Sequence, residues 1–185
     1  MSTEKEETAA QVWALTLGTY SREGVAAACI GLQDRHGVGV SALLALMGLA
    51  ALGYPVADAR AMERVLARAE DWQWRVIEPL RKARRALRQA ASDGIEEEAA
   101  GVRRALLAQE IETERLQQQL LVTDVLGGMT GLMWTSDDAG RMRPAESVAR
   151  LYLARFIEHW SEDEEEALQL LLDAMAGEDA GPLLD

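Results

Sequence analysis

Apolar side chains recur along most of the chain at intervals of three and four residues, which places them on one face of an α-helix. No segment shows convincing two-residue alternation, and Ala, Leu, Glu and Arg are commoner than Val, Ile and Thr. The pattern predicts an all-α protein, folded as a single compact helical bundle of about seven to eight helices.

The most apolar segment, residues 38–57, has no formally charged side chain. A stretch of this length could cross a membrane as a helix. It contains Gly39, Gly48, Gly53 and Pro55, however, and only residues 40–52 suit a helix that is apolar on all sides. Because so short a stretch is typical of a buried helix, we predict that residues 40–52 form the central helix of the bundle.

Three features predict how the remaining helices are divided. Pro79 lacks a backbone donor and should kink or divide its helix near Arg75. A long helix is expected over about residues 95–122, followed by a short, closely packed, glycine-rich helix and then an exposed loop. Pro144 suits the first turn of a further helix, whose apolar face is predicted to continue to Trp160.

The chain is therefore expected to hold one all-helical domain over residues 8–160. Ser161 and Glu164 have the spacing of a capping box, which marks a helix start. We predict a C-terminal amphipathic helix over residues 161–176, docked on the domain or bound to a partner, and a disordered tail over residues 177–185.

Charge is distributed unevenly along this acidic chain, whose formal net charge is −12. Residues 1–91 carry 12 Lys and Arg against 10 Asp and Glu, whereas residues 92–185 carry seven against 21. Since such a second half repels phosphates, we expect no nucleic-acid binding. Cys29 is the only cysteine, and the first residues lack the pattern of a signal peptide, which favours a cytoplasmic protein.

Asp34, Arg35 and His36 form a polar run directly before the most apolar segment. His36 could act in proton transfer or in metal binding. Cys29 lies seven residues away, about 10 Å along a helix, too far to share an ion without further ligands. The simpler interpretation places His36 at a helix end, bonded to a backbone group or a carboxylate, and we expect no metal site.

Motifs of the common enzyme classes are missing from the sequence. The Glu-x-x-His pairs of di-iron bundles do not occur, and neither does a nucleophile elbow, a phosphate loop or a dinucleotide fingerprint. We therefore assign no catalytic residue and no cofactor, and the sequence favours a protein that is not an enzyme.

Four arginines occupy one side of a predicted helix, and they would repel one another unless anions neutralise them: Arg81, Arg84, Arg85 and Arg88. In one interpretation they form ion pairs with two carboxylates of the long helix, Glu110 and Glu114. In the other, Arg81 and Arg85 clamp a small anionic ligand or an acidic partner segment, in a site shared with Asp34, Arg35 and His36.

Two of the five tryptophans lie away from the predicted apolar faces. Trp74 points away from the face that Trp72 occupies, and Trp134 borders a polar loop. Exposed tryptophan often marks a contact with a partner, although both side chains could instead form a second layer of packing.

The N-terminal third resembles a proteobacterial family of small all-helical proteins known only as a domain of unknown function. The residues that carry the resemblance are Trp13, Tyr20, Gly24, Val25, Cys29, Leu32, Gln33, Asp34, His36, Gly37, Val38, Val40, Leu43, Leu44 and Gly53. It extends over about residues 10–125, through Pro79, Leu80 and the arginines, to the segment between Glu110 and Leu120. Where that family often has Asp and Asn, this chain has Gly39 and Ser41, so the resemblance carries no polar site to this junction.

The resemblance implies a helical fold and a bacterial cytoplasmic setting but no activity. Our leading hypothesis is a non-catalytic protein-interaction or regulatory module, whose partner is another protein or a second copy of the chain. The alternative is a small anionic ligand-binding protein or enzyme, with its site between the Asp34 to His36 junction and the helix of Arg81 and Arg85.

Overall fold

The computed structural model describes residues 2–54, 59–90, 95–128 and 138–177. Within these ranges lie eight α-helices, with a π-helical turn, Gln73–Ile77, between the fourth and fifth, and no β-strand. The helices are α1 (Ser2–Tyr20), α2 (Val25–His36), α3 (Val40–Ala51), α4 (Ala59–Trp72), α5 (Glu78–Ala90), α6 (Glu96–Gly128), α7 (Asp138–Leu153) and α8 (Glu162–Ala176). The predicted all-α bundle is confirmed.

Helix α3 is the centre of the bundle, as its apolar sequence predicts. Every residue from Val40 to Ala50 is buried, and α1, α2, α6 and α7 pack around the helix. Just before α3, Gly39 makes room for Tyr152 of α7, because a Cβ at Gly39 would lie 2.8 Å from the Tyr152 hydroxyl oxygen. That hydroxyl donates to the carbonyl oxygen of Gly39 at 3.2 Å. Among the described helices, none is long and apolar enough to cross a membrane.

Gly37 separates α2 from α3 and so fixes where the polar run meets the central helix. Its φ of 72° lies in the left-handed region, which glycine adopts without steric cost. The Gly37 N–H donates to the carbonyl oxygen of Gln33 at 2.8 Å and closes α2. The chain can then turn directly into α3.

The predicted division near Arg75 is present as the π-helical turn Gln73–Ile77. Pro79 has no N–H to donate to the carbonyl oxygen of Arg75, four residues earlier, so regular α-helical bonding is interrupted there. The chain continues at once into α5, which carries the arginines.

Three predicted helix boundaries are wrong. Helix α6 continues past residue 122 to Gly128, because Val125 is buried and its packing offsets the low helix propensity of glycine. Pro144 lies inside α7, which begins at Asp138, where an exposed loop was expected. Helix α7 ends at Leu153.

Residues 154–160, predicted to continue that helix, instead turn away from it. Phe156 and Ile157 donate to the carbonyl oxygen of Leu153 within this turn. The apolar spacing continues to Trp160 because Phe156 and Trp160 still pack against the same core. Spacing alone therefore could not show where the helix ends.

Helix α8 packs on α1, α2 and α7 through Ala167, Leu168, Leu171, Leu172 and Met175. The predicted pairing at its start is confirmed, since the Ser161 N–H donates to the Glu164 carboxylate at 2.9 Å. The Ser161 hydroxyl donates to the same oxygen. Residues 178–185 of the expected tail lie outside the described residues.

Candidate functional site

A cavity of about 330 Å³ lies between α1, α2, α3, α5 and α6, and we call it the α1–α6 cavity. Its apolar lining consists of Trp13, Leu17, Ile30, Val40, Leu44, Leu107 and Ile111. Its polar lining consists of Thr16, Tyr20, Cys29, Gln33, Ser41, Arg81, Arg84, Glu110 and Glu114. Although nine of the sixteen lining residues are polar, most of the cavity surface is apolar, and an apolar concave surface with convergent polar groups is typical of a small-molecule site.

The mouth of the cavity is formed by large apolar side chains that are open to solvent. Leu17, Tyr20, Ile30, Leu107 and Ile111 are each between 41% and 51% exposed. They face one opening because Leu17 and Tyr20 are three residues apart on α1, and Leu107 and Ile111 are four apart on α6. A contiguous exposed apolar surface of this kind marks a place where a ligand or a partner binds.

Beside the cavity lies a hydrogen-bonded polar cluster that joins three helices. The Thr16 hydroxyl donates to Gln118 Oε1 at 3.2 Å, and Gln118 Nε2 donates to the Ser41 carbonyl oxygen at 3.0 Å. Gln118 is buried, and its bonds tie α6 to α1 and to the start of α3. This cluster holds that part of the cavity in one shape.

One wall of the cavity consists of ion pairs between α5 and α6. Arg84 donates to both carboxylate oxygens of Glu110, at 2.5 Å and 3.1 Å. Arg81 donates to Glu114 at 2.6 Å and to Glu78 at 3.2 Å. Arg81 and Glu110 are buried. The structure thus contains ion pairs between the arginines and both carboxylates, Glu110 and Glu114.

Burial and charge act on Glu114 in opposite directions. Desolvation raises the pKa of Glu114, although the positive charge of Arg81 acts to lower it. For Arg84, the hydrogen bond with Glu110 is the main cause of a raised pKa. The neighbouring arginines therefore compensate only in part for the burial of the Glu114 carboxylate.

The two other titratable groups in the cavity are not activated for catalysis. Burial raises the pKa of the Cys29 thiol to about 12, so the reactive thiolate is not formed near neutral pH. Partial burial, together with the nearby Cys29 and Glu114, raises the pKa of the Tyr20 hydroxyl. Both groups can form hydrogen bonds, but neither is a ready nucleophile or base.

The polar run predicted as part of a site, Asp34 to His36, is divided between two neighbouring helices, α5 and α8. Asp34 lies 3.9 Å from Arg85, in an exposed ion pair between α2 and α5. Arg35 and His36 instead face α8, and neither they, Asp34 nor Arg85 lines the cavity. Of the five residues that the sequence proposed for a ligand site, only Arg81 lines the α1–α6 cavity.

Several cavity residues were not singled out from the sequence as site residues, among them Trp13, Tyr20 and Ser41. Trp13 and Tyr20 are among the residues that carry the family resemblance, but the resemblance assigns them no role. Trp74 is 65% exposed on the π-helical turn, and its role in partner contact stays a prediction. Trp134 lies outside the described residues. Within the described ranges, no three His, Cys, Asp or Glu side chains are placed to hold a metal ion.

His36 belongs to a cluster that fastens α2 to α8. His36 Nε2 lies 3.0 Å from Glu164 Oε1, and Arg35 lies 3.2 Å from the same oxygen. Hydrogen bonds from Ser161 and His36 lower the pKa of Glu164 from its ordinary value of 4.5 to about 2. Because the pKa is lower in the folded protein than in the unfolded chain, the ionised form of Glu164 stabilises the fold.

Replacing Glu164 by glutamine is expected to lower the free energy of unfolding by about 2 kcal/mol at neutral pH, because charge-assisted bonds are lost. Since the folded-state pKa is depressed, this stabilisation is complete above 4.5 and is lost as the pH falls towards about 2. Urea unfolding of both proteins at several pH values measures the difference. The variant Glu166→Gln, at an exposed position of α8, is the control. A difference that does not shrink with acid contradicts this role.

Comparison with known proteins identifies a family but no activity. Residues 11–121 match the model of a family described as a protein of unknown function (DUF2390). No curated protein and no solved structure matches the chain. The matched range contains every residue that lines the α1–α6 cavity and ends before α7 and α8.

Proposed function

The chain belongs to the DUF2390 family of proteins of unknown function, and we propose that it is a non-catalytic binding module whose α1–α6 cavity receives a small, largely apolar molecule. The observation that carries the proposal is the exposed apolar mouth opening onto a cavity with convergent polar groups. A regulatory role and a cytoplasmic location, both expected from the sequence, remain part of the proposal.

Burial of apolar surface supplies the driving force for binding. The side chains at the mouth contribute apolar area that is in contact with water, and a bound apolar molecule would remove it from water at a gain of about 25 cal/mol per Å². The polar groups at the side of α5 and α6 then orient the ligand rather than supply most of the affinity.

A simple anion clamp is not favoured by the geometry. Arg84 already has both Glu110 oxygens as acceptors, and Arg81 has Glu114 and Glu78. An anionic ligand would have to replace a carboxylate that stays nearby, which leaves a buried negative charge without its partner. The alternative of an anionic ligand held by the arginines is therefore not the one we propose.

Octanol, a neutral molecule with a simple apolar chain, tests the proposal. By isothermal titration calorimetry we expect octanol to bind the wild-type protein at one site. Leu107→Trp should weaken binding at least about tenfold, because the larger ring occupies the mouth of the cavity.

The matched control is Val102→Trp, on the same helix and 51% exposed but not lining the cavity. This variant is expected to bind octanol as the wild type does. If the wild-type protein does not bind octanol, or if both tryptophan variants lose binding equally, the cavity is not the site.

A protein-interaction role has one specific observation in its favour, the 65% exposed Trp74. We propose self-association through this ring as a second candidate function, since exposed tryptophan is enriched at binding hot spots. Light scattering after size-exclusion chromatography should show a dimer of the wild type and a monomer of Trp74→Ala. A wild type that is monomeric at all concentrations contradicts this second proposal.

A further inference from the structure

The ion-paired cluster of α5 and α6, part of which lines the α1–α6 cavity, does not balance in charge. In the cavity lining, two guanidinium groups are matched by two carboxylates, those of Glu110 and Glu114. Arg81 also pairs with Glu78, which lies outside the lining, so this guanidinium is shared between two carboxylates. The connected cluster therefore carries one more negative than positive charge when all its members are ionised. Because this cluster is largely withdrawn from water, its excess negative charge favours a ligand that carries a positive charge.

Glu114 is the member of this cluster that can accept a further hydrogen bond. Arg81 donates to its Oε1, and among the described residues no donor lies on its Oε2. The Glu114 side chain lines the cavity and is 23% exposed, so it can be reached from that side. The raised pKa of Glu114 agrees with a carboxylate that has too little stabilisation of its charge.

The aromatic lining also favours a positive group. Tyr20 lines the cavity close enough to interact electrostatically with Glu114, and the face of an aromatic ring attracts cations. At longer range the net charge of −12 attracts cations towards the protein and repels anions.

Charged groups around the cavity do not reverse this preference. Arg85 and Asp34 lie near each other, and so do Arg115 and Glu112, so each pair is neutral as a unit. Two further basic side chains of α5, Lys82 and Arg88, are exposed and do not line the cavity.

We infer that the ligand of the α1–α6 cavity is a lipophilic cation, with an ammonium group that meets Glu114 and an apolar chain that lies among Trp13, Leu107 and Ile111. This inference rests on the proposed function and names the chemical class of its ligand. The ammonium group donates to the free oxygen of Glu114 in a charge-assisted hydrogen bond, while the ion pairs of Arg81 and Arg84 stay intact.

Three ligands with the same chain and different head groups test the inference on the unmodified protein. Titration calorimetry at neutral pH and moderate salt compares octylammonium, octanol and octanoate, each below the concentration at which it forms micelles. We expect octylammonium to bind about tenfold more tightly than octanol, and octanoate to bind more weakly than octanol.

The results separate the inference from the proposed function. If octanol binds and octylammonium binds no more tightly, the inference is wrong and the proposed function stands. If octanoate binds most tightly of the three, the inference is also wrong. If none of the three binds, the proposed function and the inference fail together.

Glu114→Gln locates the preference at one residue. In this variant octylammonium should bind no more tightly than octanol, since the glutamine has no negative charge. Glu112→Gln, an exposed carboxylate on the same helix that does not line the cavity, should leave the preference unchanged. Equal loss of the preference in both variants would place the cation elsewhere.

Discussion

Replacement of Glu110 by alanine is expected to lower the free energy of unfolding by about 3–5 kcal/mol. The carboxylate of Glu110 is only 3% exposed and accepts two hydrogen bonds from Arg84, at 2.5 Å and 3.1 Å. Its removal leaves the guanidinium of Arg84 without a partner and takes a negative charge away from Arg81, which lies 3.9 Å from Glu110. Urea unfolding followed by circular dichroism measures the loss.

The control for this experiment is Glu112→Ala, two residues away on α6. Glu112 is exposed and pairs with Arg115 on its own helix, so its loss should change the free energy of unfolding far less than the loss of Glu110. The double variant Glu110→Leu with Arg84→Leu should be more stable than Glu110→Ala, because no charge is left without its partner. Equal small losses in Glu110→Ala and Glu112→Ala would show that the cluster contributes little to the fold.

Truncation of Leu46 to alanine is the second substitution with a large expected effect, a loss of about 2–5 kcal/mol. Leu46 lies in the middle of α3 and has no exposed surface. Neighbouring helices surround this position, so the space left by the missing side chain cannot be closed easily.

Leu151→Ala serves as the control for Leu46→Ala. Leu151 lies on α7 and is 51% exposed, so we expect a change within about 0.5 kcal/mol. Thermal and urea unfolding of the two variants compare the same chemical change at a buried and at an exposed position. A loss at Leu46 as small as that at Leu151 would mean that α3 is not the packed centre of the protein.

The central helix could be predicted from the sequence because its apolar pattern is complete on all sides. Residues of α3 have no polar face to present to water, so burial is the only stable arrangement. The end of α7 could not be predicted in the same way. Phe156 is apolar at helical spacing, yet it packs on the core from a turn that follows the helix.

The candidate site was only partly predictable for a related reason. One interpretation of the sequence paired Glu110 and Glu114 of the long helix with the arginines, and both carboxylates meet arginines of α5. The neighbours of the polar run on α2 could not be predicted, because consecutive helical residues point about 100° apart. Gln33 thus lines the cavity, Asp34 lies near Arg85 of α5, and His36 meets α8. The sequence does not say which neighbour lies in each direction.

Isoleucine methyl NMR spectroscopy tests most directly whether the α1–α6 cavity binds an apolar molecule. The chain has five isoleucines, Ile30, Ile77, Ile95, Ile111 and Ile157. Ile30 and Ile111 line the cavity, whereas Ile95 is 49% exposed and does not line it. During titration with octanol, we expect the signals of Ile30 and Ile111 to move together and to saturate, while that of Ile95 stays in place. Signals of Ile30 and Ile111 that do not move, or that move no more than that of Ile95, would contradict the account.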